Sequence, residues 1–143
     1  MERRKILFII ISFFAFIQIS VSQENKCEKY FLSSYPDIVK AILDNKDSLN
    51  LSISQNETIE NAISNYEPMI NERKKKIDEL EKKLNDLILN GGDSSEIKSI
   101  IIKLAQLKAE NTVLKIKEIR EIQNSLTKSQ YEKLLNYIKA KQI

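Results

Sequence analysis

The only two glycines of the chain, Gly91 and Gly92, are adjacent and separate two long segments with helical periodicity. They stand in the sequence Asn90-Gly91-Gly92-Asp93, where Gly91 is well placed for the left-handed conformation that ends many helices. Because this loop is short, the two helices that it joins must run antiparallel. The glycine pair therefore predicts an all-α helical hairpin.

The segment before the glycines has the heptad pattern of a packed helix and is predicted to be helical over about residues 53–89. Its apolar side chains recur in steps of three and four residues. They are Ile59, Ile63, Tyr66, Ile70, Ile77, Leu80, Leu84 and Leu87. Arg73 places one charge on this seam. Pro68 lacks an N–H and is expected to kink the helix near Ile63 or to divide it after Glu67.

The segment after the glycines is predicted to form a second long helix over about residues 94–123, capped by Asp93 with Glu96. Its apolar stripe has two parts. The first is Ile97, Ile100, Ile101, Leu104 and Leu107, and the second is Ala109, Val113, Ile116, Ile119, Ile122 and Leu126. A final helix is expected to start at Thr127.

A further short helix is expected over 37–43, followed by a connector over 45–50. The predicted fold class is thus all-α: a long antiparallel helical hairpin with a kinked first helix and short terminal helices. One pair of helices cannot bury apolar stripes this broad, and exposed apolar patches usually mark an interaction surface. We therefore expect a homodimer, the alternative being a monomer in which the terminal helices fold back over the stripe.

The N-terminus has the three parts of an export signal. Glu2-Arg3-Arg4-Lys5 is a basic start, an apolar run over 6–19 follows, and Ser20-Val21-Ser22 is a small-x-small cleavage pattern. The apolar run is shorter than the roughly 20 residues needed to span a bilayer. We therefore predict a signal peptide over 1–22 and a periplasmic mature protein without a membrane segment. An uncleaved N-terminal anchor is the alternative.

The mature chain is predicted to have an N-terminal arm over 23–48, which carries the short helix, and a hairpin domain over 49–143. The arm contains Cys27, the only cysteine of the chain. In an oxidising compartment an odd cysteine indicates either an intermolecular disulfide, here within a homodimer, or an idle free thiol. Residues 23–36 are polar and are expected to be loosely held.

Composition argues against most enzymes, most metal sites and nucleic-acid binding. The chain has no histidine and one cysteine, which removes the usual general base, the catalytic Ser-His and Cys-His pairs and the usual soft metal ligands. Its net charge of +3 includes Arg3, Arg4 and Lys5 of the predicted signal, so it gives no reason to expect a nucleic-acid partner. We predict no cofactor and no metal; a metal sensor would need carboxylate ligands alone.

Two five-residue segments share the pattern of a helix start. They are Leu51-Ser52-Ile53-Ser54-Gln55 and Leu126-Thr127-Lys128-Ser129-Gln130. A Ser or Thr followed three residues later by Gln fits a capping box, in which each side chain bonds to the backbone N–H of the other residue. Leu126 and Tyr131 also hold the positions of a hydrophobic staple, which the first copy lacks because Asn56 stands there. For either copy alone, a capped helix start without further function is the plain interpretation.

The repeated motifs, the export signal and the hairpin pattern together resemble the periplasmic LTxxQ-motif family that includes Spy and CpxP. The resemblance covers about residues 49–141, and the second motif matches without departure, whereas Ser52 stands where the first motif usually has Thr. It implies a small exported helical protein that dimerises into a curved cradle. It also implies an ATP-independent chaperone, or an accessory that restrains an envelope-stress sensor kinase. Related branches bind zinc, nickel or cobalt through histidines, which this chain lacks.

A basic and apolar stretch of the first long helix is the candidate client-binding surface. Its members are Met69, Ile70, Arg73, Lys74, Lys75, Lys76 and Ile77. Cations attract acidic segments, and adaptable apolar side chains accept apolar segments without a fixed geometry. The alternative is an ordinary solvated helix face, because Asp78, Glu79 and Glu81 balance the lysines.

The predicted function is an ATP-independent periplasmic chaperone or envelope-stress accessory that binds unfolded or envelope proteins. The main alternative is a regulatory or structural coiled-coil binder dedicated to one envelope sensor protein. A secreted eukaryotic protein is a further alternative, because Asn50-Leu51-Ser52 and Asn56-Glu57-Thr58 match the glycosylation sequon.

Overall fold

The computed structural model of the protein describes residues 29–33 and 35–141; the predicted signal peptide and Cys27 lie outside them. From Ile38 onward the chain is a succession of helices, and no strand occurs in the described part. The helices are α1 (Ile38–Asp44), α2 (Lys46–Leu49), α3 (Ile53–Leu89), α4 (Ser94–Ser125) and α5 (Lys128–Lys141). The all-α prediction is confirmed.

The two long helices, α3 and α4, pack against each other and form the predicted hairpin. Pro68 lies inside α3, which is continuous from Ile53 to Leu89. The expectation that Pro68 could divide this helix after Glu67 is therefore wrong. A proline removes one backbone donor, and in a helix of this length the packing of the remaining turns outweighs that loss. The kink near Ile63 stays a prediction.

The turn between α3 and α4 has the geometry that its glycines predict. Gly91 has a φ of +68°, the left-handed conformation expected there. The Gly92 N–H donates to the Leu87 carbonyl at 2.7 Å, which satisfies one of the last carbonyls of α3. A Cβ on Gly92 would lie 2.6 Å from the Leu87 side chain, so the closeness of this turn also requires glycine. Asp93 caps α4 by accepting from the Ser95 and Glu96 N–H groups.

One apolar core lies at the end of the hairpin remote from the turn, and we call it the open-end core. It joins all five helices, because α1, α2 and α5 fold back over this end of the hairpin. Its buried members are Ile38, Val39, Ala41, Ile42, Leu49, Ile59, Ala62, Ile119, Ile122 and Leu134. The terminal helices thus cover the apolar stripe at this end.

A second and smaller core lies nearer the turn, and we call it the turn-end core. Ile77, Ile100 and Leu104 are its buried members. Half-buried apolar side chains surround them; these are Tyr30, Leu80, Leu84, Leu87 and Leu107. The heptad seam of α3 is confirmed, since Ile59, Ile70 and Ile77 of that seam are buried.

The predicted stripe of α4 is correct at Ile100, Leu104, Ile119 and Ile122, which are buried, and wrong at Ile101, Val113 and Ile116, which are exposed. Val113 and Ile116 are 52% and 40% exposed. The inner positions between the two cores are instead held by Asn111, Lys115 and Glu118, all of them buried. In the sequence, the apolar residues of this stretch move to a different face of the helix. That face does not turn inward, because the cores at both ends of α4 fix the orientation of the whole helix.

Residues 29–33 and the short helix α2 pack as part of the same structure as the hairpin. The connector expected over 45–50 contains the short helix α2, which ends at Leu49 and is followed by Asn50 with a left-handed φ of 50°. Phe31 is buried, so the expectation of a loosely held segment is wrong for residues 29–33. The reason is that Tyr30 packs against the turn-end core and that Lys74 lies near the rings of both Tyr30 and Phe31. Among the helices described, none combines the length and apolar character that a membrane span requires.

Candidate functional site

Each of the two predicted motifs closes a capping box at a helix start. Ser52 Oγ accepts from the Gln55 N–H at 3.1 Å, and Gln55 Oε1 accepts from the Ser52 N–H at 2.9 Å. Thr127 Oγ1 accepts from the Gln130 N–H at 3.3 Å, and Gln130 Oε1 accepts from the Thr127 N–H at 2.9 Å. The capping role predicted for Ser52, Gln55, Thr127 and Gln130 is confirmed.

The two motifs also bind each other, which the sequence reasoning missed. Gln55 Nε2 donates to Gln130 Oε1 at 2.8 Å, and Gln130 Nε2 donates to Gln55 Oε1 at 3.1 Å. Each glutamine therefore completes its own capping box through Oε1 and pairs with the other box through both amide atoms. We call this pair with its two caps the motif junction.

The motif junction also satisfies carbonyl groups at the ends of other helices. Gln55 Nε2 donates to the carbonyl of Ser125, the last residue of α4, at 2.8 Å. Gln130 Nε2 donates to the carbonyl of Leu49, the last residue of α2, at 3.2 Å. Helix ends leave such carbonyls without a helical partner. The two glutamines thus join the starts of α3 and α5 to the ends of α4 and α2.

The leucines of the motifs anchor the junction to the open-end core. Leu51 and Leu126 are half-buried and pack against that core, as does Tyr131. The Tyr131 hydroxyl accepts from Gln123 Nε2 at 3.0 Å, which holds the tyrosine against the end of α4. The motif junction has all its amide donors engaged within the protein, so its geometry is that of a structural tie.

A second polar arrangement lies inside the hairpin, between the two apolar cores. Lys115 is at its centre, with Nζ at 2.6 Å from Glu67 Oε1 on α3 and at 2.6 Å from Glu118 Oε2 on α4. Glu118 is fully buried, and neither of its carboxylate oxygens accepts a well-formed hydrogen bond. We call Glu67, Lys115 and Glu118 the central polar cluster. It holds two carboxylates for one cation.

The protonation equilibria of the cluster follow from this shortage of cations. Burial raises the pKa of Glu118, and the charge of Lys115 offsets only part of that effect. Burial alone would lower the pKa of Lys115, but the carboxylates of Glu118 and Glu67 outweigh it and the pKa is raised. Glu67 and Asp37 add negative charge near Glu118 and raise its pKa further. The neutral form of Glu118 is therefore favoured by its site.

Replacing Glu118 with glutamine should stabilise the protein at neutral pH. The folded state binds the Glu118 proton more strongly than the unfolded state, so the ionised carboxylate weakens folding once the pH exceeds its ordinary pKa of 4.5. For Glu118→Gln we expect a gain in the free energy of unfolding at pH 7.5, because the substitution removes the buried charge while Glu67 remains the partner of Lys115. Urea denaturation followed by circular dichroism measures it.

The pH dependence separates this effect from a change in packing. The advantage of Glu118→Gln should shrink as the pH falls towards 4.5, because Glu118 then carries a proton in the folded and unfolded states alike. Glu79→Gln on α3 is the control, and we expect it to change stability little because Glu79 is exposed. A loss of stability in Glu118→Gln at pH 7.5 would contradict the assignment.

The residues predicted to bind clients do not form one surface in the structure. Ile70 and Ile77 are fully buried inside the hairpin, so these two do not belong to any exposed surface. Their place on the heptad seam turns them inward. Arg73 is half-buried, with Nε at 3.2 Å from Glu110 Oε2 on α4, and it joins the two helices.

The remaining predicted residues lie on the outer side of α3. Met69 and Lys75 are exposed, and Lys76 is exposed and paired with Glu72 at 2.7 Å. Lys74 is half-buried, with Nζ at 5.8 Å from the ring centroids of both Tyr30 and Phe31. The predicted basic patch is therefore partly covered by the residues that precede α1. A client-binding role stays a prediction for its exposed members.

Large apolar side chains are exposed elsewhere on the hairpin; the sequence analysis placed Ile101, Val113 and Ile116 on the inward stripe of α4 and did not mention the others. We call them the exposed apolar set; they are Ile88, Leu89, Ile101, Ile102, Val113 and Ile116. Ile101 also lines a cavity of about 480 Å³ together with Leu84 and Leu104. Ile88, Leu89 and Ile102 could have been found by noting the apolar residues that lie outside the predicted stripes.

The described residues include no group of three or more His, Cys, Asp or Glu side chains arranged to hold a metal ion. Comparisons with protein-family models, with curated proteins and with solved structures gave no match to this chain. The function is therefore argued from the chain's own surfaces.

Proposed function

We propose that the protein is an exported, ATP-independent chaperone or envelope-stress accessory that holds partly unfolded proteins. The observation that carries this proposal is the exposed apolar set on a hairpin whose inner face is already packed. Ile101 and Ile102 are 51% and 58% exposed, and Leu89 is 82% exposed. Exposed apolar surface of this kind usually marks an interaction site.

Charged residues accompany this surface and make it suitable for loose binding. Lys98 is exposed one turn before Ile101 and Ile102, and Lys117 is exposed one turn after Val113. Exposed lysines beside aliphatic side chains attract acidic and apolar segments without imposing one geometry. A surface of this composition supports binding of many unfolded chains more than recognition of one rigid partner.

The paired motifs support membership of the LTxxQ family as part of the same proposal. Both copies cap a helix, and they meet at the motif junction rather than acting as separate starts. We propose further that residues 1–22 direct export to the periplasm and that the mature chain forms a homodimer. The mass of the mature protein, measured with and without reductant, tests cleavage, dimerisation and a Cys27 disulfide together.

Purified mature protein should suppress the aggregation of an unfolding client without ATP. We expect near-complete suppression of light scattering from reduced α-lactalbumin at a stoichiometric amount of chaperone. Ile101→Ser/Ile102→Ser should weaken suppression several-fold with little change in stability, because both side chains are exposed. Ser99→Ala, also exposed on α4, is the matched control.

Failure to suppress aggregation at any ratio would contradict the chaperone proposal. Photocrosslinking from position 102 in living cells then distinguishes the alternative, because a dedicated regulator should give one saturable product. A chaperone should give many products of different mass.

A further inference from the structure

Residues Lys29–Ser33 lie across the hairpin and form a strap over the turn-end core. Phe31 is 6% exposed, and Tyr30 packs against the turn-end core. Lys74 of α3 contacts both aromatic rings, with Nζ 5.8 Å from each centroid. The hairpin thus binds two adjacent aromatic side chains of its own chain.

Side chains of α4 hold the backbone of the strap. Thr112 Oγ1 accepts from the Leu32 N–H at 3.0 Å, and Asn111 Nδ2 donates to the Tyr30 carbonyl at 3.5 Å. Contacts to main-chain N–H and C=O groups do not depend on the identity of the side chains. The same two α4 residues could therefore hold other segments whose backbone follows the path of the strap.

Acidic residues of α3 provide the selective contacts. Asp78 accepts from the Tyr30 hydroxyl at 3.1 Å and lies 2.6 Å from Lys29 Nζ. Glu81 lies 3.7 Å from the same Lys29 nitrogen. These contacts favour a segment with a tyrosine and a cation beside its apolar residues. The hydrogen bond from Lys29 also lowers the pKa of Asp78, so the carboxylate is ionised at neutral pH.

The strap leaves part of this surface open. Leu32 is 59% exposed and lines the cavity of about 480 Å³ whose other walls include Leu84, Ile101 and Ala105. A longer segment in the place of the strap would therefore gain apolar contacts that the strap itself does not make.

We infer that this surface is a binding site for short polypeptide segments with adjacent aromatic residues, and that Lys29–Ser33 is its built-in competitor. The inference rests on the proposed function and names the chemistry of the segments that the chaperone would hold. The strap is tethered at its site, so it acts at a high effective concentration and weakens the binding of any free segment. Its contacts with Asp78 are largely exposed, so they hold it weakly enough for displacement.

The test uses the full mature chain and a fluorescein-labelled peptide of the strap sequence, Lys-Tyr-Phe-Leu-Ser, followed by fluorescence anisotropy. Tyr30→Ser/Phe31→Ser should release the strap and tighten peptide binding by about tenfold or more, as expected when a tethered competitor is removed. Leu32→Ser keeps both rings and should leave peptide binding unchanged. Adding Asp78→Asn and Thr112→Val to the strap variant should abolish the gain.

A folded strap variant, with unchanged circular dichroism, that gains no affinity for the peptide would overturn the inference. If the double substitution fails to fold, Lys29→Ala weakens the strap from its exposed side and should give a smaller gain; no gain there overturns it equally. The aggregation assay on the same variants separates the two proposals. Client suppression without peptide binding refutes this site alone, whereas peptide binding without suppression supports the site and refutes the chaperone function.

Discussion

Replacing Lys115 with methionine should cost about 3–5 kcal/mol of stability at pH 7.5, the loss expected when one partner of a buried ion pair is removed. Lys115 Nζ lies 2.6 Å from carboxylate oxygens of both Glu67 and Glu118, and Glu118 is fully buried. Methionine retains most of the apolar stem of lysine, so the loss reports the charge. Without the cation, two carboxylates face each other inside the hairpin.

Removing the charge of Glu118, by protonation or by substitution, should reduce the loss of stability caused by Lys115→Met. The cost should fall as the pH decreases towards the ordinary glutamate pKa, because Glu118 can then take up a proton. The double variant Lys115→Met/Glu118→Gln should recover part of the lost stability at pH 7.5, with a coupling energy of about 1–3 kcal/mol. Chemical denaturation of the wild-type protein, the two single variants and the double variant measures this coupling energy.

Lys108→Met is the matched control on the same helix. Lys108 Nζ is 3.0 Å from Glu81 Oε1, but both side chains reach solvent, so we expect a loss of at most about 1 kcal/mol. Equal losses for Lys115→Met and Lys108→Met would show that burial does not strengthen the central polar cluster. A loss below that of the control would contradict its assignment as a buried pair.

The central polar cluster shows why the sequence predicted the hairpin better than its interior. The glycine turn and the seam of α3 predict the antiparallel pair, because both depend on local spacing. The inward face of α4 does not follow from local spacing. Val113 and Ile116 are apolar and suggest that a different face is inward, but the cores at both ends hold the helix in its observed orientation. The position of the turn could have predicted the contact between Glu67 and Lys115, because both residues lie equally far from Gly91 along the chain and so face each other in the hairpin.

The strap and the motif pairing were beyond reach of the sequence for a different reason. Lys29–Ser33 has no periodicity, and its position depends on a surface made by α3 and α4 together. Each motif predicts its own helix cap, because capping depends on residues three apart. The contact between Gln55 and Gln130 depends on the return of the chain across both long helices, which no local pattern encodes.

Removing either motif glutamine should cost more than a helix cap alone. For Gln55→Ala we expect a loss of about 2–3 kcal/mol, combining the loss of a capping partner with buried carbonyl and amide groups left unpaired. The carbonyl of Ser125 loses its donor, and Gln130 loses both contacts to the other amide. Gln130→Ala should show a loss of similar size. Thermal and urea denaturation measure both.

The double variant decides whether the motifs act as one unit. If they do, Gln55→Ala/Gln130→Ala should lose about 1 kcal/mol less than the two single losses combined, because the second substitution removes a partner that is already gone. Gln106→Ala is the control: its amide donates only to Glu110 on its own helix, at 3.1 Å, and should cost less than about 0.5 kcal/mol. Additive losses would mean that the two capping boxes are independent. A variant that kept its stability but lost client binding would instead identify the motif junction as a ligand site, since a structural tie can affect activity only through the fold that it holds.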